Sequence, residues 1–181
     1  MFTHRDIEII NFLEEYRIAS TTTLKEFFFP SIRSCQARLK ALYENKKLQR
    51  ARLTMNHDYI YYIKKPYGVM HDLLCTEFYR ELKRHTNVLA YVKEKPLGKI
   101  RPDAVFGYKE NDRQFLGLLE VELSHKGFDF DKYETFFKTA AYKEFFPIMP
   151  TIYIVAKNVK IPKGSLIKYV TIKPDMSDFR L

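Results

Sequence analysis

The run Phe115-Leu-Gly-Leu-Leu-Glu-Val-Glu-Leu123 constrains the fold more than any other stretch of the chain. Its alternate positions are apolar on both sides, the pattern of a central strand covered on both faces. Glu120 and Glu122 interrupt that pattern. At i and i+2 they project from the same face of the strand. A carboxylate placed there is costly unless something compensates or neutralises it. A divalent cation, basic side chains or an open cleft would serve. A third carboxylate, Asp103, stands upstream in Ile100-Arg-Pro-Asp-Ala-Val-Phe. The three acids together mark a candidate site.

The 181 residues suffice for one medium domain or two small ones. A hydrophobic content of 46% belongs to a globular chain rather than a disordered one. Thirty-one basic residues against 22 acidic give a formal net charge of +9. Such an excess favours a polyanionic partner, most often nucleic acid, although a basic protein without one has the same balance. Cys35 and Cys75 sit in helix-like segments and suggest neither a disulfide framework nor a zinc cluster. Reduced thiols in a cytoplasmic protein are the expectation. The start, Met1-Phe-Thr-His-Arg-Asp, has no hydrophobic signal region. No run approaches the roughly 18 apolar residues of a membrane span, so no membrane contact is expected. The chain has no glycine-rich phosphate loop, which argues against ATP use.

Residues 1–66 read as a winged helix-turn-helix. Thr3 to Asp6 has the spacing of a helix start, and Ile7, Ile10 and Leu13 mark one face of the helix that follows. Ser20-Thr-Thr-Thr is suited to capping a short second helix, Leu24 to Phe28, which Pro30 ends. A third helix is predicted from about Ser34 to Lys46, with Cys35, Leu39 and Leu42 turned inward. Arg33, Gln36 and Lys40 lie on its opposite face, with Arg38 on the flank. Leu48–Thr54 and Tyr59–Ile63 have strand character, and Met55–Asp58 is the turn between them. In a winged helix-turn-helix the third helix enters the major groove and the hairpin touches the backbone or minor groove. Residues 33–52 hold seven basic side chains and one acid, Glu44. The expected DNA-contacting residues are Arg33, Ser34, Gln36, Arg38, Lys40, Arg50 and Arg52. His57 is expected to be a solvated turn residue, and Tyr59, Tyr61 and Tyr62 to pack the sheet.

Lys64-Lys-Pro-Tyr-Gly68 breaks the strand pattern, and a domain boundary is placed at residue 66. Residues 67–181 read as an α/β domain. The predicted elements are a helix from Met70 to His85, strands Val88–Val92, Ile100–Tyr108 and Gln114–Leu123, a helix Asp129–Phe146, and strands Thr151–Ala156 and Leu166–Ile172. The order is αβββαβ, with Asp103 on the second strand and Glu120 and Glu122 on the third.

That order, with Pro102-Asp103 and Glu120-Val121-Glu122, resembles the PD-(D/E)XK nuclease-like superfamily. The resemblance implies an α+β or α/β core in which Asp103, Glu120 and Glu122 are catalytic residues and metal ligands. It also implies Mg²⁺ as the cofactor, which suits an all-oxygen site. This chain departs from the pattern at Glu122, where the superfamily usually has lysine. Some restriction endonucleases of the superfamily carry Glu-x-Glu there. Lys126 and Lys132 are candidates to supply a lysine from elsewhere, and Glu77 to supply an extra acid.

The whole arrangement resembles the replication-relaxation family of bacterial plasmids and related mobile elements. The matching parts are the winged segment, a helix opening with His71, Arg101-Pro-Asp-Ala, the Leu119-Glu-Val-Glu strand and a helix carrying Tyr133. The resemblance implies a protein that binds double-stranded DNA and acts in plasmid replication, relaxation or their control, alongside other replication or relaxation proteins. A Mg²⁺-dependent DNA endonuclease or nickase is one alternative. A transcriptional regulator whose nuclease-like domain is a non-catalytic dimerisation scaffold, its acids satisfied by Lys99, Arg101 or water, is another. Winged regulators often act as dimers on palindromic sites, so a homodimer is compatible with all three.

Overall fold

The computed structural model describes residues 2–54, 57–124 and 127–181. The described residues form a mixed α+β protein with five α-helices and two sheets. The chain divides into two compact units, residues 1–80 and 81–181.

In the first unit, α1 (His4–Tyr16) begins where the Thr3 amide and hydroxyl both donate to the Asp6 carboxylate, at 2.6 and 2.8 Å. A two-residue strand, β1 (Ala19–Ser20), leads into α2 (Thr21–Phe28). The Ser20 hydroxyl caps α2 by accepting from the Thr23 amide. The helix therefore starts three residues before the expected Leu24, because the threonines lie inside it rather than at its cap. Ser31 caps α3 (Ile32–Glu44) in the same way, accepting from the Ser34 amide. Strands β2 (Gln49–Arg52) and β3 (Tyr59–Tyr62) pair antiparallel, and β1 joins the free edge of β3, giving the order β1-β3-β2. Met55 and Asn56, in the expected turn, lie outside the described residues. Ile9, Leu13, Ile18, Leu24, Cys35, Leu39, Leu42, Ile60 and Tyr61 are buried.

Helix α4 (Val69–His85) follows, and the division between units falls within it, after Arg80. The expected boundary at residue 66 was drawn on Pro66 and Gly68. The first turns of α4 instead complete the N-terminal core. Leu73 is buried with Ile18, Ile60 and Tyr62, and Tyr79 stacks on Tyr16 at 4.7 Å.

The second unit is built on a five-stranded sheet in sequential order β4-β5-β6-β7-β8. Strands β4 (Asn87–Lys93), β5 (Ala104–Glu110) and β6 (Arg113–Glu122) form an antiparallel meander. Strands β7 (Thr151–Ala156) and β8 (Tyr169–Ile172) then run parallel to β6. Strand β5 begins just after Pro102-Asp103, later than expected, since proline has no N–H for the ladder. Between β6 and β7 lies α5 (Phe130–Lys138), followed by a short 3₁₀ turn, Ala141–Glu144. The helix expected to run to Phe146 stops because Ala140 takes a left-handed conformation, φ 56°. Tyr133 and Phe136 of α5 pack on one face of the sheet with Val105, Leu118, Ile152, Ile154 and Ala156. Gly117 keeps the other face open for the Phe106 ring, which comes within 2.3 Å of where a Cβ would stand.

Candidate functional site

The register of the meander brings the carboxylates together. Ala104 opposes Leu119, so Asp103 and Glu120 are the next opposed positions at the end of the β5–β6 ladder. Alternation along β6 puts Glu120 and Glu122 on the face that carries Leu118, the face covered by α5. Asp103 lies on the same face, two residues before Val105. All three predicted acids thus line one face at one end of the central strands.

Each is held differently. The Asp103 Oδ2 accepts from the Val121 amide at 2.7 Å, and the Asp103 amide donates to the Leu119 carbonyl at 2.9 Å. These bonds continue the ladder and fix the carboxyl at its end. The Glu122 Oε1 accepts from the Ser124 amide at 2.6 Å. The Glu120 side chain is 14% exposed, and its Oε1 receives both Lys132 Nζ, at 2.6 Å, and the Tyr133 hydroxyl. Its Oε2 has no hydrogen bond among the described residues. Burial pushes the Glu120 carboxyl above its ordinary range, Lys132 and Tyr133 pull it down, and Asp103 adds to the rise. The Tyr133 hydroxyl, fully buried beside this carboxylate, is raised far above the usual phenol range by desolvation first.

The lysine comes from the first turn of α5. Asp129 caps that helix, accepting from the Lys132 amide at 3.3 Å. The cap places Lys132 and Tyr133 together over Glu120. Lys132 was one of two lysines expected on position alone, and the other, Lys126, lies outside the described residues together with His125. The remaining expectations fare differently. Glu77 is engaged by neighbours in its own unit. It belongs to the first unit, where it accepts from Ser20 Oγ and Thr23 Oγ1, at 2.7 and 2.8 Å, and pairs with Arg80. Arg101 binds the Glu94 carboxylate and carbonyl, at 3.1 and 3.0 Å.

A carboxylate set with one ammonium donor suits a hard divalent cation that takes oxygen ligands.

The basic residues of the first unit form a second feature. Helix α3 buries Cys35, Leu39 and Leu42, which turns Arg33, Gln36 and Lys40 to solvent. Lys40 has Glu44 at 3.8 Å, an exposed pair of little energetic weight. Ser34 is half-buried and bonded to Ser31, so its hydroxyl serves the helix start. Arg38 departs from expectation. Its guanidinium forks onto the fully buried Asp6 carboxylate, Nε to Oδ1 at 2.7 Å and a second nitrogen to Oδ2. This fixes α3 against α1 and removes Arg38 from the group turned to solvent. On the hairpin, Arg52 is exposed and Arg50 half-buried. Tyr61 and Tyr62 are buried sheet residues as expected, and His57 is exposed beside Thr54.

Sequence reasoning missed two partners. Asp6 was read solely as a helix-start residue, and no periodic signal links it to Arg38. Tyr133 stands in the sequence only as a residue of the predicted helix, with no contact to Glu120 assigned. Its position next to Lys132 in the first turn after an aspartate cap was the available sign. Comparison with family models, curated proteins and solved structures finds no match for this chain.

Proposed function

We propose that this chain is a DNA-binding protein of a bacterial plasmid or related mobile element, acting in replication or relaxation of that DNA or in their control. The order α1-β1-α2-α3-β2-β3, with β1 on the edge of the hairpin, supports a winged helix-turn-helix reading of the first unit. One observation carries the proposal. Burial of Cys35, Leu39 and Leu42 turns Arg33, Gln36 and Lys40 outward from α3, and Arg50 and Arg52 lie on the hairpin that follows. A helix so charged fits the major groove, where arginine and glutamine read base edges and lysine meets phosphate. Footprinting on duplexes selected from a random pool tests this. Replacing Arg33, Gln36 and Lys40 together by alanine is expected to abolish the footprint while weaker general binding persists. A footprint unchanged by all three replacements would remove α3 as the reading helix.

A second reading, a Mg²⁺-dependent DNA endonuclease or nickase, is favoured by Lys132. The PD-(D/E)XK pattern needs a cation near its acids, and Glu122 stands where its lysine usually does. Lys132 on α5 supplies that charge at 2.6 Å from Glu120. The meander followed by parallel strands, with α4 before it and α5 between, supports the same core. Magnesium, when bound, would polarise the phosphodiester and acidify water. Asp103 and Glu120 would hold the ion, and Glu122 would be a further ligand or accept the proton of the attacking water. Lys132 would balance charge on the phosphate oxygens, and Tyr133 would hold Glu120 in place. Under this reading wild type nicks supercoiled plasmid with Mg²⁺ or Mn²⁺, and the Asp103→Ala/Glu120→Ala variant does not while still shifting DNA. Cutting that survives both changes would exclude these residues from the chemistry.

A further inference from the structure

We infer that Tyr43 and Tyr59 are positioning residues that fix Arg50 and Arg52 in advance for adjacent phosphates of a DNA backbone. The inference rests on the DNA-binding reading above and specifies how the hairpin takes part. The Arg50 guanidinium carbon lies 4.3 Å from the Tyr43 ring centre and 4.2 Å from that of Tyr59. The Arg52 guanidinium carbon lies 4.2 Å from the Tyr59 ring centre as well. The contacts form a chain: Tyr43, Arg50, Tyr59, Arg52.

The backbone dictates this arrangement. Arg52 is the register partner of Tyr59, and Arg50 is two residues away on the same strand, so all three side chains share one face of the hairpin. Tyr43 comes from the last turn of α3 and is 40% exposed. Arg50 therefore links the hairpin to α3 through its two rings. Among the described residues no carboxylate pairs with Arg50 or Arg52. Ring faces lie against both guanidiniums, and a ring face attracts a cation without neutralising it. Two such guanidiniums on one strand face are a poor arrangement for stability and a good one for a polyanion.

A free arginine loses rotamer freedom when it grips a phosphate, which weakens binding. Here that freedom is already lost in the folded protein. The planar guanidinium keeps its edge N–H groups available while its face lies on tyrosine. A lysine would keep the charge and lose the stacking.

The test is titration of a duplex of about 30 base pairs with wild type, Tyr59→Leu, Tyr59→Phe, Tyr43→Leu and Arg50→Lys across a salt series. Circular dichroism establishes that each is folded, and Tyr43→Leu, at an exposed position, provides a variant that does not depend on the sheet. Tyr59→Leu is expected to bind about tenfold more weakly, with the slope of log affinity against log salt reduced by about 1 to 2. Tyr43→Leu and Arg50→Lys weaken binding several-fold, and Tyr59→Phe stays within about twofold of wild type because its ring face remains. Leucine variants that bind like wild type with an unchanged slope would overturn the inference and leave the DNA-binding reading standing. A phenylalanine variant as weak as the leucine variant would also overturn it, by assigning the effect to the hydroxyl. Wild type that does not bind the duplex at all would sink the underlying reading, and this inference with it.

Discussion

Asp6 is completely buried, yet it carries a charge. Its carboxylate accepts from the Thr3 amide and hydroxyl and from two nitrogens of Arg38. The Arg38 hydrogen bonds hold its carboxyl well below the usual range, against the opposing effect of burial. A carboxyl depressed in the folded state contributes stability that is fully present above its unfolded pKa of about 3.9 and is lost as pH falls toward the folded value. Arg38→Ala should therefore cost about 3–5 kcal/mol near neutral pH, by leaving a buried charge unpaired. The deficit should shrink in acid, first as the unpaired Asp6 of the variant protonates and then as pH falls toward the depressed value of the wild-type carboxyl. Urea unfolding at neutral and acid pH measures it. A small, pH-independent loss would show that the pair is not a structural tie. Nothing in the sequence reveals this pairing, because periodicity relates neighbours and these residues are 32 apart. The three site carboxylates were legible for the opposite reason. Acids inside an apolar strand pattern stand out without any knowledge of what surrounds them.

Strands were easier to foresee than helix ends. The β-branched and aromatic runs Tyr59–Tyr62 and Thr151–Ala156 carry their own signal, and β6 shows its burial in composition. Helix α5 is harder, since Phe136, Phe137, Ala140, Ala141 and Phe145 keep a helical apolar spacing beyond the point where the backbone breaks. The break is a left-handed alanine, for which no glycine or proline gives notice. The start of α5 matters more for function, because the Asp129 cap sets Lys132 and Tyr133 over Glu120. The sheet beneath depends on a missing side chain. Gly117 pairs with Phe106, whose ring occupies the space a Cβ would need. Gly117→Ala is expected to destabilise the second unit by about 1–3 kcal/mol through overpacking. Thermal or urea unfolding checks this. Unchanged stability would mean that the Phe106 ring can move aside freely, and that the glycine is not required for sheet packing.

At the scale of the molecule, an excess of positive charge meets two units with different chemistry. Charge alone was legible from the sequence, and it does not distinguish a nucleic-acid partner from a merely basic surface. The fold sorts the basic residues by their surroundings. Arg38 is engaged within the first unit, whereas Arg33 and Lys40 on α3 are exposed and Arg50 and Arg52 lie on aromatic rings. The boundary was the least legible large-scale feature. Pro66 and Gly68 punctuate the chain, but the apolar residues of α4 decide which core it joins. No helix among the described residues is long and apolar enough to cross a membrane. Under the proposed function, α3 and the hairpin would form the surface that meets DNA. The most direct measurement is the affinity of wild type for double-stranded DNA between about 50 and 200 mM salt, where each neutralised phosphate contributes about −0.9 to the logarithmic slope. A slope of about −3, as Lys40, Arg50 and Arg52 would produce at three phosphates, is the predicted result. A slope near zero, or no binding even at low salt, would contradict the account.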